Sequence, residues 1–255
     1  MRVASLFLIA CLLAVGGSVS VAKSTHDQIA AALANPARSD ADRERDARNK
    51  PQEVLALAGF KRGQTIADVF GGGGYYSEII AYIVGPKGHV RDVNNPLYDF
   101  YSKESIAKRL ADNRLPNVRY EVAPTEAMNL GHASLDGALM VMSFHDLYVS
   151  NPKKNLPAAD VGQFLGQLSD ALKPGAVVLV VDHAARPDSG HQDTQELHRI
   201  DEQLVTAEFK AHGFDLVGTL PVLRNADDDH SKNVFDPAIR GKTDRFVHLY
   251  RKHKK

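Results

Sequence analysis

Two groups of residues in this chain have types and spacings suited to chemistry. The first is Asp68-Val69-Phe70-Gly71-Gly72-Gly73-Gly74, an acid followed, after two intervening residues, by four glycines. Glycine lets a backbone turn tightly and approach a ligand closely. A helix opening behind such a loop points its first amides at whatever the loop holds. The loop lacks the Lys and Ser/Thr of a phosphate-clamping loop, which argues against ATP or GTP hydrolysis. The second group is split between Ser143-Phe144-His145-Asp146 and Asp182-His183. A histidine near its ordinary pKa is the natural proton acceptor at neutral pH. His145 and His183 are therefore candidate general bases, with Asp146 or Asp182 to orient a ring and support its charged form. Each histidine also suits a plainer role, capping a strand end or bonding a nearby loop.

Other polar clusters carry less. Among the 11 histidines, His183, His191 and His198 offer a ligand set with Asp182 and Asp201. Their spacing is not that of a compact zinc motif, and His198 with Asp201 reads equally as a surface pair on a helix, so no metal is assigned. Asp227-Asp228-Asp229-His230 has no glycine and no calcium-loop spacing, and reads as a solvated turn. Residues 225–244 have little periodicity. With Arg224, Lys232, Arg240, Lys242 and Arg245 the region is basic. It reads either as a lid that meets an anionic substrate group or as an excursion at a sheet edge.

The elements that must position these residues follow from periodicity. Short apolar runs at 65–69, 89–93, 118–122, 135–142 and 176–181 read as buried strands. Helical patterns lie between them at 76–84, 101–113 and 158–172, with a long helix at 196–211. Strands alternating with helices imply a parallel sheet covered on both faces. The last two strands, 214–220 and 245–250, have no helix between them and are expected to pair antiparallel at one edge. The result is an α/β, doubly wound, mostly parallel seven-stranded sheet. In such a sheet ligands sit at the carboxyl ends of the strands, where the glycine loop and both His-Asp pairs fall.

Composition sets the outer limits. At 255 residues the chain suits one large domain. Its 31 basic and 31 acidic residues leave no electrostatic footprint for nucleic acid. Arg2, an apolar run at 3–15, and small residues before a cut after Ala22 have the layout of a secretory signal peptide over residues 1–22. The run is short for a membrane span. The expectation is an exported chain, periplasmic or secreted, with no stable membrane anchor after cleavage. An uncleaved anchor and a lipoprotein cut before Cys11 are the other readings. Cleavage removes the single cysteine, and with it thiol catalysis, disulfides and Cys-ligated zinc. Residues 23–50 are charge-dense, with apolar residues too sparse for a core, and form a surface segment or lid. Residues 51–255 are the expected catalytic domain, and Pro51 suits a first helical turn.

The glycine loop resembles the first motif of class I S-adenosylmethionine (SAM)-dependent methyltransferases, with Asp68, Gly72 and Gly74 at three of its positions and Phe70 in place of its first glycine. Lys61-Arg62-Gly63-Gln64-Thr65 is similar to the lead-in of that motif, and Leu172-Lys173-Pro174-Gly175-Ala176 to the family's turn before the fifth strand. Gly73-Gly74-Tyr75-Tyr76, Leu197-His198-Arg199-Ile200-Asp201 and the stretch 235–244 look like a bacterial subgroup of exported methyltransferase-like proteins. The resemblance implies a Rossmann-like methyltransferase fold, SAM as cofactor and methyl transfer to a small-molecule acceptor. It places Asp68, Gly72, Gly74 and Asn94 at the cofactor, with Asn94 where the family carries an acid for the ribose; Asp92 and, for the base, Glu126 compete for such roles. Phe70 is expected to narrow the methionine pocket. Phe70, Asn94 and export also fit an exported SAM-fold binding protein or a degenerate, non-catalytic homologue.

Overall fold

The computed structural model describes residues 17–154 and 156–254. The apolar run at 3–15 lies outside them, and the expected cut after Ala22 falls in a helix, α1 (Gly17–Leu33). No helix among the described residues is long and apolar enough to cross a membrane.

Two further N-terminal helices follow, α2 (Asp40–Asn49) and α3 (Pro51–Ala58). Then strand and helix alternate: β1 (Thr65–Val69), α4 (Tyr75–Val84), β2 (His89–Asn94), α5 (Pro96–Leu110), β3 (Val118–Val122), β4 (Leu135–Val141), α6 (Val161–Ala171) and β5 (Leu172–His183). The chain closes with α7 (Thr194–Leu197), α8 (Glu202–Ala211), β6 (Phe214–Thr219) and β7 (Arg245–Lys252). The seven strands form one sheet in the order β3-β2-β1-β4-β5-β7-β6. Strands β1 to β5 run parallel, and β7 is antiparallel to both β5 and β6. The order reverses between β1 and β4, so their carboxyl ends diverge into a crevice. Both sheet faces are covered. One apolar cluster includes Ile66, Ile79, Leu139 and Leu179 with Val54 and Leu55 of α3; the other includes Val69, Met140, Val180, Phe164 and Phe209.

Several sequence expectations are corrected. The fifth helix of the chain begins at Pro96 rather than at 101, because Asn95 caps it by accepting from the amides of Leu97 and Tyr98 and Pro96 suits the first turn. The long helix at 196–211 is two helices. His198 turns left-handed (φ 55°) and ends α7, Ile200 bridges to Ala184 beyond β5, and Asp201 caps α8. Residues 23–50 do add to the core, since Ile29 and Ala32 are buried in it. Two acids of α2, Asp42 and Asp46, are held in ion pairs, while Asp40, Glu44 and Arg48 stay exposed. Arg38 grips both oxygens of Asp46, Asp42 takes Arg109, and Glu78 takes Arg109 and Arg114.

Candidate functional site

The glycine loop leaves β1 and enters α4. Phe70 and Gly72 and Gly74 are all left-handed, at φ 56°, 59° and 76°. A side chain at such a φ costs about 1–2 kcal/mol. Phe70 nevertheless adopts the conformation a glycine would, because its ring is buried between Tyr98 (centroids 5.1 Å apart) and Phe164 (5.8 Å). Burial of the ring outweighs the strain: truncating such a phenylalanine costs about 3–5 kcal/mol. Phe70→Gly is therefore expected to destabilise the fold by about 3 kcal/mol, although it restores the glycine pattern. Urea unfolding measures this, and an unchanged midpoint would show that the backbone strain dominates.

Beneath the loop, two carboxyls are buried together. Ser77 Oγ lies 2.7 Å from Asp68 and 3.0 Å from Asp92. A Cβ on Gly71 would stand 2.7 Å from the Asp68 carboxyl and 2.9 Å from Asp92, so the loop passes over the acids where only glycine fits. Burial pushes Asp68 up to about 6, against the pull of Ser77 and Arg45. Burial and the neighbouring Asp68 raise Asp92 well above the usual carboxylate range.

Asn94, expected at the ribose, is fully buried and fastens the loop instead. Its side-chain oxygen accepts from the amide of Gly72 (3.0 Å), and its NH2 donates to the Gly72 carbonyl (3.1 Å). The residue at this strand end that lines the cavity is Asn95. Asp68 and Gly74 do not line the cavity either, while Gly71, Gly72 and Gly73 form its wall.

The cavity, of about 1050 Å³, spans the carboxyl ends of the strands. Tyr98 and Tyr101 of α5, with Thr125 and Glu126 after β3, line the region near the loop. His145, Asp146, His183 and His198 line another part, and Arg45 of α2 reaches the wall. Val234 and Phe235 bring the 225–244 segment to it. The basic residues of that segment do not line it: Arg224 pairs with Glu202 and Asp244, and Arg245 donates to Asn49 and the Arg48 carbonyl. The expected meeting of these cations with an anionic group thus has no support. Asp228, read as solvated, is buried against Arg199. Tyr75 and Tyr76 both pack inside, Tyr75 donating to Asp46.

The two His-Asp pairs converge. Parallel pairing of β4 with β5 sets Val141 beside Val181, so the residues that follow β4 meet Asp182 and His183 at the end of β5. Asp182 accepts from the backbone amide of His145 (2.9 Å) and contacts its Nδ1 (2.7 Å). Asp146 lies 3.2 Å from His145 Nε2 and accepts from the Tyr98 hydroxyl at 2.5 Å. Burial alone would lower the His145 pKa, but Asp182 and Asp146 together raise it to about 10. A proton-laden ring is a poor base, so the role expected of His145 shifts to electrostatics and orientation. Burial lowers His183 to about 3, which keeps it neutral; its Nδ1 lies 2.8 Å from Thr243 Oγ1. Burial would raise Asp146, but His145, His198 and Tyr98 hold it well below the carboxylate range.

Sequence reasoning missed Tyr98, Val234 and Phe235. The Asn95-Pro96 pair was the available signal for Tyr98, since it fixes where α5 starts. Nothing in the aperiodic 225–244 segment distinguishes Val234 or Phe235.

No family model and no curated protein matches the chain by sequence. Solved structures do match by fold. A SAM-dependent methyltransferase from Aquifex aeolicus has a TM-score of 0.57 and 21% identity, over 89% of this chain and 98% of that one. A putative sarcosine dimethylglycine methyltransferase from Galdieria sulphuraria has a TM-score of 0.56 and 16% identity, over 82% of this chain and 86% of that one. Phosphoethanolamine N-methyltransferase 2 of Haemonchus contortus, solved with S-adenosyl-L-methionine, has a TM-score of 0.57 and 14% identity, over 81% of this chain and 53% of that one. At such identities the likeness is one of architecture. The chain has the fold of the class I SAM-dependent methyltransferases.

Proposed function

We propose that the protein is a SAM-dependent methyltransferase that acts on a small-molecule acceptor. One observation carries this reading: the glycine loop and the His-Asp cluster face a single cavity large enough for a nucleoside-type cofactor and a small acceptor together. The loop residues fit the cofactor. Gly72 is left-handed with open space where a side chain would stand, and Glu126 and Thr125 line the wall at the end of β3. SAM supplies an electrophilic methyl group. The chain's own residues do the rest: they bind the acceptor, exclude water and take its proton. In this reading His183, kept neutral, accepts a hydrogen bond from the acceptor and relays its proton to solvent, being too weak a base to hold it, and His145 with Asp146 fixes the acceptor in place. Export after removal of residues 1–22, to the periplasm or beyond, belongs to the same proposal, as does kinship with the exported bacterial subgroup.

One feature favours a second reading, an exported SAM-fold binding protein or a non-catalytic homologue. The end of β2 presents no carboxylate to the cavity, because Asn94 is spent on Gly72. Calorimetric titration with SAM and with its demethylated product separates the readings from an unrelated use of the fold. Saturable binding of both is expected, weakened at least tenfold in Gly72→Val. Absence of heat with either at millimolar ligand would sink both readings. Binding without turnover on any small acceptor would leave only the second.

A further inference from the structure

Among the described residues, one cluster of metal-ligating side chains closes on itself: His145, Asp146 and His198. His145 Nε2 lies 3.2 Å from Asp146 Oδ1 and 3.3 Å from His198 Nδ1, and the last two atoms lie 3.4 Å apart. A triangle of that size has its centre about 1.9 Å from each corner (the side over √3), close to the bond lengths of about 2.0–2.2 Å between zinc and imidazole nitrogen or carboxylate oxygen. The edge of a zinc tetrahedron with bonds of about 2.0 Å is likewise about 3.3 Å.

The hydrogen bonding points the same way. Asp182, wholly buried, contacts Nδ1 of His145, so a ring that gives up one proton to a bound ion keeps Nδ1–H on Asp182 and turns the Nε2 lone pair to the ion. Nε2 faces a carboxylate oxygen and a second imidazole nitrogen. A positive charge belongs between the three atoms, and a metal ion can take the place of the Nε2 proton there. The supporting contacts are those that orient metal ligands, with a carboxylate behind His145 and the Tyr98 hydroxyl on the other oxygen of Asp146. The left-handed turn at His198, which breaks the expected long helix, is what brings the third donor to the other two.

We propose that His145, Asp146 and His198 bind a divalent transition-metal ion, with its remaining coordination open to the cavity. Two imidazoles and one carboxylate suit zinc, iron(II), cobalt(II) or manganese(II) better than calcium or magnesium, which prefer oxygen alone. All three residues line the cavity, so the open position takes water or an oxygen, nitrogen or sulfur atom of the acceptor. An ion there would lower the pKa of the water or acceptor group it holds, whose proton would pass to solvent. The ion's binding stands apart from the methyl-transfer reading, which it would deepen.

The test uses the purified protein, stripped with a chelator and titrated without SAM. Zinc binding is followed by calorimetry, and cobalt(II) by its visible absorption. One equivalent is expected to bind, with cobalt bands of low coordination number. Asp146→Asn and His198→Asn should each weaken binding at least tenfold; asparagine tolerates the left-handed backbone at 198. Far-ultraviolet circular dichroism checks that both fold, and Asp146→Asn decides if His198→Asn does not. Equal affinity in wild type and variant would overturn the proposal, since the other histidines would then hold the ion. Absence of any binding would overturn it as well. Failure of SAM binding leaves this result untouched.

Discussion

Replacing Arg199 with methionine is expected to cost about 3–5 kcal/mol of folding stability, the range for stranding one partner of a buried ion pair. Arg199 is fully buried and uses its whole guanidinium. It grips Asp228 at 2.9 Å through two nitrogens and donates to the carbonyls of Lys232 (2.9 Å) and Ala184 (3.0 Å). Methionine fills similar volume but leaves the Asp228 charge without its cation and two carbonyls without a donor. Asp228→Asn added to Arg199→Met should recover part of the loss, because it removes the stranded charge. It cannot recover all, since Asp228 also accepts from the amides of His230 and Asp244. Urea unfolding of the single and double variants measures both steps. A single-variant loss below about 1 kcal/mol would mean that water reaches Asp228 and that the pair is not sealed in solution. The same arginine ties the 225–244 segment to the end of β5 and to the break after α7. Loss of stability should therefore be accompanied by loosening of Val234 and Phe235 at the cavity.

The second large effect concerns pH. Asp68 and Asp92 share Ser77, whose hydroxyl has one proton to give. It can donate to one carboxyl; the other makes a hydrogen bond to the same oxygen only by being protonated itself. Both groups have folded pKa values above the unfolded value of about 3.9. A raised folded pKa contributes stability that is fully present below the unfolded value and is lost as pH rises through the folded one. The pair should therefore weaken the fold as pH climbs from about 4 through about 6 and beyond, with Arg45 and Arg109 as the cations that limit the cost. The rise of Asp68 to about 6 corresponds to about 3 kcal/mol. His183, with a lowered pKa, has the opposite slope below its normal value, so wild type alone shows a mixed profile. The difference between wild type and Asp92→Asn isolates the pair. The variant is expected to be more stable by about 2–3 kcal/mol at pH 8 and to lose that advantage near pH 4. A difference that does not change with pH would show that the pair titrates normally.

The parallel strands were legible in the sequence because each buried strand is a short apolar run closed by a turn, and the absence of a helix between the last two strands foretold the antiparallel edge. Periodicity failed where one residue overrides its neighbours. Leu197, Ile200, Leu204 and Val205 keep helical spacing through His198, yet the backbone turns left-handed there. The strand ends told where ligands meet the chain, but not which atoms face them. Asn94 ends the second strand as the sequence reading had it, yet it is buried and spends its amide on the loop. The convergence of His145 with Asp182 depends on the register of β4 against β5, which no local pattern encodes. His198 joins them only through a break that a helical reading hides, so the sequence paired it with His183 and His191 instead.

Arg109 gives the N-terminal helices a part in the loop's own energetics. Its guanidinium donates to the Gly73 carbonyl at 2.6 Å and to Asp42 of α2 at 2.8 Å. One side chain thus belongs to two equilibria, the docking of α2 and the shape of the loop. For a ligand that depends on this loop shape, whatever part of its binding free energy depends on docked α2 equals the part of the docking free energy that depends on the ligand, because coupling is reciprocal. The charge-dense segment, read from composition as surface or lid, is joined through one guanidinium to a loop that walls the cavity.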